Sequence, residues 1–277
     1  MCRKRAFLAT VLAPVLAVVG GLALGAPAQA GEAKTPPAAV EPTGPRKASP
    51  AQRAEMRRAD PLARAAFWGG EFAADSRDAE AGVALAQSLR SLGRYEDAAD
   101  AAGKVLLVQP DNFDALLELA RVHIARGQGF YAIEPARHAA ALAPRDWRPQ
   151  TLLGVAYEQA QRPEEASAAH RQAIALGPNE AAPNANYGLH LASQGDLPGA
   201  EVQLRRAAAM PASTIQIRQN LALVIGLQGR IAEAEKLARQ DLPPESVANN
   251  LAWLRAATTR PNPAATPRSW DAMKAGG

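Results

Sequence analysis

The sequence predicts an all-α protein, a solenoid of five helix-turn-helix units closed by capping helices at both ends. Three observations carry this. The 277-residue chain is 48% hydrophobic but only 5% aromatic, and rich in alanine, a composition suited to close helix packing and not to a large aromatic β core. Small and turn-forming residues recur every 34 positions through the middle of the chain. Within each period, apolar residues recur at three and four spacing, which is helical and not strand-like.

Residues 1–30 have a basic start, an apolar stretch from Phe7 to Leu24 and a small-residue end, Ala28-Gln29-Ala30. This is the layout of a cleavable secretory signal, with the cut expected after Ala30 and export to the periplasm as its consequence. The competing reading is an uncleaved anchor, since the apolar stretch approaches the length of a spanning helix. Pro14, Gly20-Gly21 and the Ala-x-Ala end favour cleavage. The one cysteine, Cys2, lies before the apolar stretch, so the exported chain is expected to hold no thiol, disulfide or cysteine metal site. Removing Arg3, Lys4 and Arg5 lowers the formal charge of +4 to about +1. With no basic run interleaved with aromatics, no nucleic-acid partner is expected.

Residues 31–50 carry Pro36, Pro37, Pro42, Pro45 and Pro50 and read as an extended, disordered linker. Residues 51–78 read as N-terminal capping helices, with Asp60-Pro61 as a helix start and Leu62, Phe67, Trp68 and Phe72 as apolar cover. Five units are expected at 79–112, 113–146, 147–180, 181–214 and 215–245. A closing helix at 246–257 offers Val247, Leu251, Trp253 and Leu254, and a tail at 258–277 with Trp270 reads as disordered. Both Trp68 and Trp253 are expected in the core, each contributing about 2 to 3 kcal/mol.

The 34-residue ruler fixes the inside of each unit. Gly93, Gly127, Gly195 and Gly229 mark the turn, with Gln161 at the remaining place. Ala86, Ala120, Gly154, Gly188 and Ala222 mark the first helix; Ala98, Ala132, Ala166, Ala200 and Ala234 mark the second. Small residues at both places let the two axes cross closely, and the turn glycine supplies a positive φ. Pro110, Pro144 and Pro178 close three units at the same spacing, and Pro211 closes the fourth one residue early.

This pattern resembles the tetratricopeptide repeat, most plainly in LLGVAYEQAQRPEEASAAHRQAIALGP at 152–178. The resemblance implies a right-handed superhelical solenoid. Where that family usually has a large apolar residue in the second helix, this chain has Ala102, Ala136 and His170, so thin packing is expected there. Pro135 falls inside a second helix and is expected to bend it.

No catalytic residue, cofactor or metal site is expected. His123, His138, His170 and His190 occupy four different repeat positions, with no pair spaced to share one helix face for a metal. The sequence holds no phosphate-cradling glycine loop, Gly-x-Ser-x-Gly elbow or His-Glu-x-x-His. Glu164-Glu165 lies at a helix start, where negative charge favours the dipole. A curved stack offers a groove instead, lined by the first helices, and the ruler puts Gln87, Arg90, Arg121, Arg148, Glu158, Gln159, Ser193 and Gln219 on it. Their mixed charge suits a polypeptide partner.

Three stretches resemble the TadD-type tetratricopeptide proteins of tight-adherence (Flp, type IVc) pilus systems. They are residues 60–99, residues 125–156, and RQNLALVIGLQGRIAEAEKLARQDLPPESVANNLAWLRA at 218–256. The DLPP turn and NNLAWLR helix are not demanded by the general repeat. The resemblance implies a periplasmic assembly factor that helps the outer-membrane secretin assemble or localise, meeting the membrane through that partner unless the signal segment is kept. Several such relatives are lipoproteins, and this chain lacks their cysteine. The other scaffold reading is a polysaccharide-export or cell-wall complex; a hydrolase would need titratable groups gathered in one pocket.

Overall fold

The computed structural model describes residues 47–259, and the signal segment, nearly all of the proline-rich linker and Trp270 lie outside them. The described residues form thirteen α-helices and no strand. Helices α1 (Pro50–Met56) and α2 (Pro61–Ala74) precede five hairpins: α3 (Ala79–Ser91) with α4 (Tyr95–Val108), α5 (Phe113–Ala125) with α6 (Gly129–Leu142), α7 (Trp147–Gln159) with α8 (Pro163–Leu176), α9 (Ala181–Ser193) with α10 (Leu197–Ala208), and α11 (Ile215–Leu227) with α12 (Ile231–Ala238). Helix α13 (Pro244–Thr259) follows. It begins two residues before and ends two residues after the 246–257 span expected for it. The N-terminal cap likewise begins one residue early, at Pro50, because Ser49 and Gln52 form a capping box there. None of the described helices is long and apolar enough to cross a membrane.

The ruler governs where helices start and stop. Just before four of the five first helices sit Asp78, Asn112, Asp146 and Thr214, each accepting a hydrogen bond from a backbone N–H of the first turn. At the other end the turn residue takes positive φ, from 71° to 86° at the four glycines and 58° at Gln161. The following N–H then reaches back over the last turn, as Arg94 N–H to Leu89 O at 2.9 Å and Arg162 N–H to Tyr157 O at 2.9 Å. Gln161 makes the same turn while bearing a side chain where glycine is unstrained.

Packing is by small residues at the helix crossings. Ala86, Ala98, Ala120, Ala132, Ala166 and Ala200 have no exposed surface, and Ala222 and Ala234 are 4% and 1% exposed. One pairing varies between units and does so in compensation. Ala86 faces the cluster holding Ala102, Ala120 that holding Ala136, and Ala222 that holding Ala238. Where the second helix carries a large residue, the first carries glycine: a Cβ on Gly154 would lie 2.4 Å from the His170 ring, and one on Gly188 2.8 Å from Leu204. Thin packing is therefore corrected for the third unit, where the His170 ring, with no exposed surface, fills the space that Gly154 leaves open.

First helices touch their successors along the array (α3 with α5, α5 with α7, α7 with α9, α9 with α11), whereas second helices pack on first helices of their own and the next unit, with α12 also meeting the closing helix α13 and joined to α10 by the Arg205–Glu233 ion pair. The first helices thus form the crowded inner side of the stack, and their outward residues form a continuous wall. Pro135 lies within α6, which runs unbroken around it.

The caps are asymmetric. Trp68, 1% exposed, is buried with Phe72 against α3, and Arg53 lies over its ring while bonding Glu71 at 2.6 Å and Asp78 at 2.7 Å. Leu62 is 67% exposed and does not cover the core as expected, because it starts α2 at the rim of an open hollow beside Leu85 and Leu89. At the other end Val247, Leu251 and Leu254 are buried, with Leu254 seated on Gly226. Trp253 is 57% exposed, which corrects the expectation of a core residue. The buried stripe of α13 runs at i, i+4 and i+7, and position 253 points off it.

Between the fourth and fifth hairpins an ion network adds to the apolar cluster they share. Burial alone would raise the Glu201 carboxyl, but bonds from Arg230, Gln228 and Arg205 outweigh it and hold the group down at about 2. A depressed carboxylate stabilises the fold above its ordinary value of 4.5, and that stabilisation fades as pH falls toward 2. Glu201→Gln is expected to be less stable at pH 7 by about 1–2 kcal/mol, after screening of the exposed arginines, and to converge with the parent near pH 2. Urea midpoints across that range measure it.

Candidate functional site

The eight residues placed on the groove by the ruler all lie on first helices, and most tie those helices together. Arg90 on α3 reaches α5, where its Nε donates to Glu118 Oε1 at 2.5 Å, and Arg121 lies 3.4 Å from the other oxygen of the same carboxylate. Glu118 has no exposed surface, so the two guanidiniums, each about a third exposed, are its compensation. Arg148 bonds Asp146 at 2.6 Å and lies over the Phe113 ring, holding the Asp146 carboxyl below the usual range. Gln159 Nε2 donates to Ile124 O of α5 at 3.0 Å, and Ser193 Oγ of α9 donates to Glu158 of α7 at 2.7 Å. Gln87 is exposed at a shallow hollow shared with Asn112 and Asp114. These residues form a wall and are not gathered at one point.

The wall is more enclosed at its C-terminal end than at the Gln87 hollow. A pocket of about 350 Å³ opens there between α11 and α13. Gln216, Gln219 and Asn220 of α11 and Asn250 of α13 supply carboxamides around it, while Leu223, Leu242, Leu251, Leu254 and Trp253 supply apolar surface. Gln216 Nε2 donates to Asn220 Oδ1 at 3.0 Å, and Gln219 leans on Asp241, the aspartate of the DLPP turn. Arg218 grips that aspartate at 2.5 Å and so fixes the turn that aims α13. Of the residues expected on the groove, Gln219 is the one at this pocket. The sequence signal for the rest was the NNLAWLR run itself, which supplies Asn250 and Trp253.

The histidines fall in different settings. His138 is partly exposed and 2.8 Å from Asp111, and His123 is half-buried beside Tyr131. His170 and His190 are fully buried and lie near each other, with ring centroids 5.2 Å apart. Burial, assisted by the neighbouring His190, pushes the His170 imidazole down to about 4.

Chains of known structure carry the same architecture. A thermophilic tetratricopeptide-repeat protein of Thermus thermophilus superposes with a TM-score of 0.57 at 25% identity, covering 64% of this chain and 99% of that one. A tetratricopeptide-repeat protein of Parabacteroides merdae matches at 0.61 and 12% identity, over 74% of this chain and 80% of its own. The fold is a tetratricopeptide-repeat solenoid. Pseudomonas aeruginosa pilF shares that fold at a TM-score of 0.52 and 20% identity, over 66% of this chain and 87% of that one. No family model and no curated protein matches the sequence. In a tetratricopeptide-repeat solenoid the first helices form the concave face, which is where this chain places its wall and terminal pocket.

Proposed function

We propose that the protein is a non-enzymatic scaffold that holds a polypeptide segment along its wall of first helices, and that it serves as a periplasmic assembly factor for a tight-adherence pilus machine, with the outer-membrane secretin as partner. The observation that carries the reading is the terminal pocket. Carboxamides on two helices pair with both N–H and C=O of an extended chain, and a half-exposed tryptophan beside them offers a flat apolar face. The pilus assignment is supported by the DLPP and NNLAWLR segments, where the resemblance to TadD-type proteins is most telling and where the pocket is built.

Because Trp253 is more than half exposed, Trp253→Ala is expected to change stability by less than about 0.5 kcal/mol. It is expected to weaken partner binding by at least about 1–2 kcal/mol, as truncation of an aromatic anchor does. Affinity capture from cells, comparing parent and variant, reads this directly. Recovery of the secretin by the parent and its loss in the variant support the proposal; normal pili after deletion of the gene, or capture of polysaccharide-export proteins in place of pilus proteins, contradict it.

A further inference from the structure

A cluster that shares only Glu158 with the binding wall lies at the middle of the array. Glu158 of α7, His170 of α8 and His190 of α9 each bring a ligating atom to one place, all within 4.8 Å of one another. His170 has no exposed surface, and neither of its ring nitrogens has a hydrogen-bond partner. A buried polar group left unpaired costs about 1–3 kcal/mol, so its place in the core asks for a partner that hydrogen bonding does not supply.

The two other side chains are held in orientation. Ser167 Oγ lies 2.8 Å from His190 Nε2. With that nitrogen carrying the proton, His190 Nδ1 keeps its lone pair, without a hydrogen-bond partner and 3.5 Å from Glu158 Oε2. Ser193 Oγ lies 2.7 Å from the other carboxylate oxygen, sharing its one proton between that oxygen and His190 O, also at 2.7 Å, and Oε2 is turned toward the histidines. Polar neighbours that fix the far side of a ligand are what imidazole and carboxylate metal sites use, and two of the three side chains here have one.

We propose that Glu158, His170 and His190 form a binding site for a divalent transition-metal ion, with Zn²⁺ the ion their chemistry suits. Two neutral imidazoles and one carboxylate are a ligand set that zinc accepts, with a fourth place left for water or a partner's side chain. Ligands around tetrahedral zinc stand about 3.4 Å apart; Glu158 Oε2 and His190 Nδ1 already stand 3.5 Å apart, so what remains, at most about 1.4 Å, is the approach of that pair and the His170 ring to each other. Glycine at 154 is the structural provision for this site, because a Cβ there would strike the His170 ring. The bound ion would clamp the third unit to the fourth, since its ligands come from both.

The test uses the full exported chain, stripped with chelator and titrated calorimetrically with ZnCl₂, with Co²⁺ absorbance as a second readout of coordination. The expected result is one ion per chain, a raised thermal midpoint, and binding weakened more than about tenfold in Glu158→Gln and in the packing-neutral pair Gly154→Ala/His170→Ala. Absence of binding to the parent overturns the proposal, as does equal affinity in both variants, which would put the ion elsewhere, such as at the partly exposed His138–Asp111 pair.

Discussion

Gly154→Ala alone is expected to destabilise the array by about 2–3 kcal/mol, and to be nearly harmless when His170 is also changed to alanine. The added methyl would stand 2.4 Å from the His170 ring, inside a helix pair that leaves the ring no exposed surface to move into. Better helix propensity returns about 1 kcal/mol, which does not offset the overlap. His170→Ala alone opens a cavity over Gly154, but it also removes an imidazole with two unpaired nitrogens, so a net loss of about 1–2 kcal/mol is expected. Together the two changes recreate the alanine pairing of Ala86 with Ala102. The double variant should therefore fall within about 1 kcal/mol of the parent, and unfolding in urea measures all four proteins. Additive losses would mean that the third unit does not pack as described. Since repeats are stabilised by their neighbours, a weakened central unit should also separate the melting of the two halves.

Arg90→Glu is expected to destabilise the protein by about 3–4 kcal/mol, by setting a second carboxylate against the buried Glu118. Arg121 then holds Glu118 alone, at 3.4 Å, and one guanidinium does not compensate for two carboxylates. Arg90→Met with Glu118→Leu removes both charges and fills the space with apolar atoms, and should return stability to the parent value or above. Thermal unfolding distinguishes this from a surface role, in which Arg90→Glu would change the midpoint little. The consequence reaches function: loss of partner binding in a charge reversal at Arg90 would report unfolding and not a lost contact, whereas loss in the Met/Leu pair would report the wall itself.

The architecture was legible because a stack repeats its constraints. A positive-φ turn, a close axis crossing and a helix stop are each demanded once per unit, so glycine, alanine and proline recur on one ruler. What escaped were features made by differences between units. Glu118 looks like a solvated groove residue until Arg90 of the preceding unit is seen to cover it. The exchange of Ala–Ala for Gly–His and Gly–Leu is written in the sequence at 154/170 and 188/204, but it shows only when two ruler positions are compared together. Glu158, His170 and His190 follow no local spacing, since they meet across three helices. Trp253 misled because it neighbours Leu254, and one residue along a helix turns the side chain by about 100°.

The concave wall as the binding surface is tested most directly by site-specific photocrosslinking in living cells. A photoreactive residue at Gln219 or Leu223, which line the terminal pocket, is set against one at Val202 on α10, 61% exposed on a second helix. Crosslinks to one pilus-machine protein from Gln219 and Leu223, and none from Val202, are the result expected. Capture of that protein from Val202, with none from the pocket, would place the binding surface on the outer helices and contradict the account.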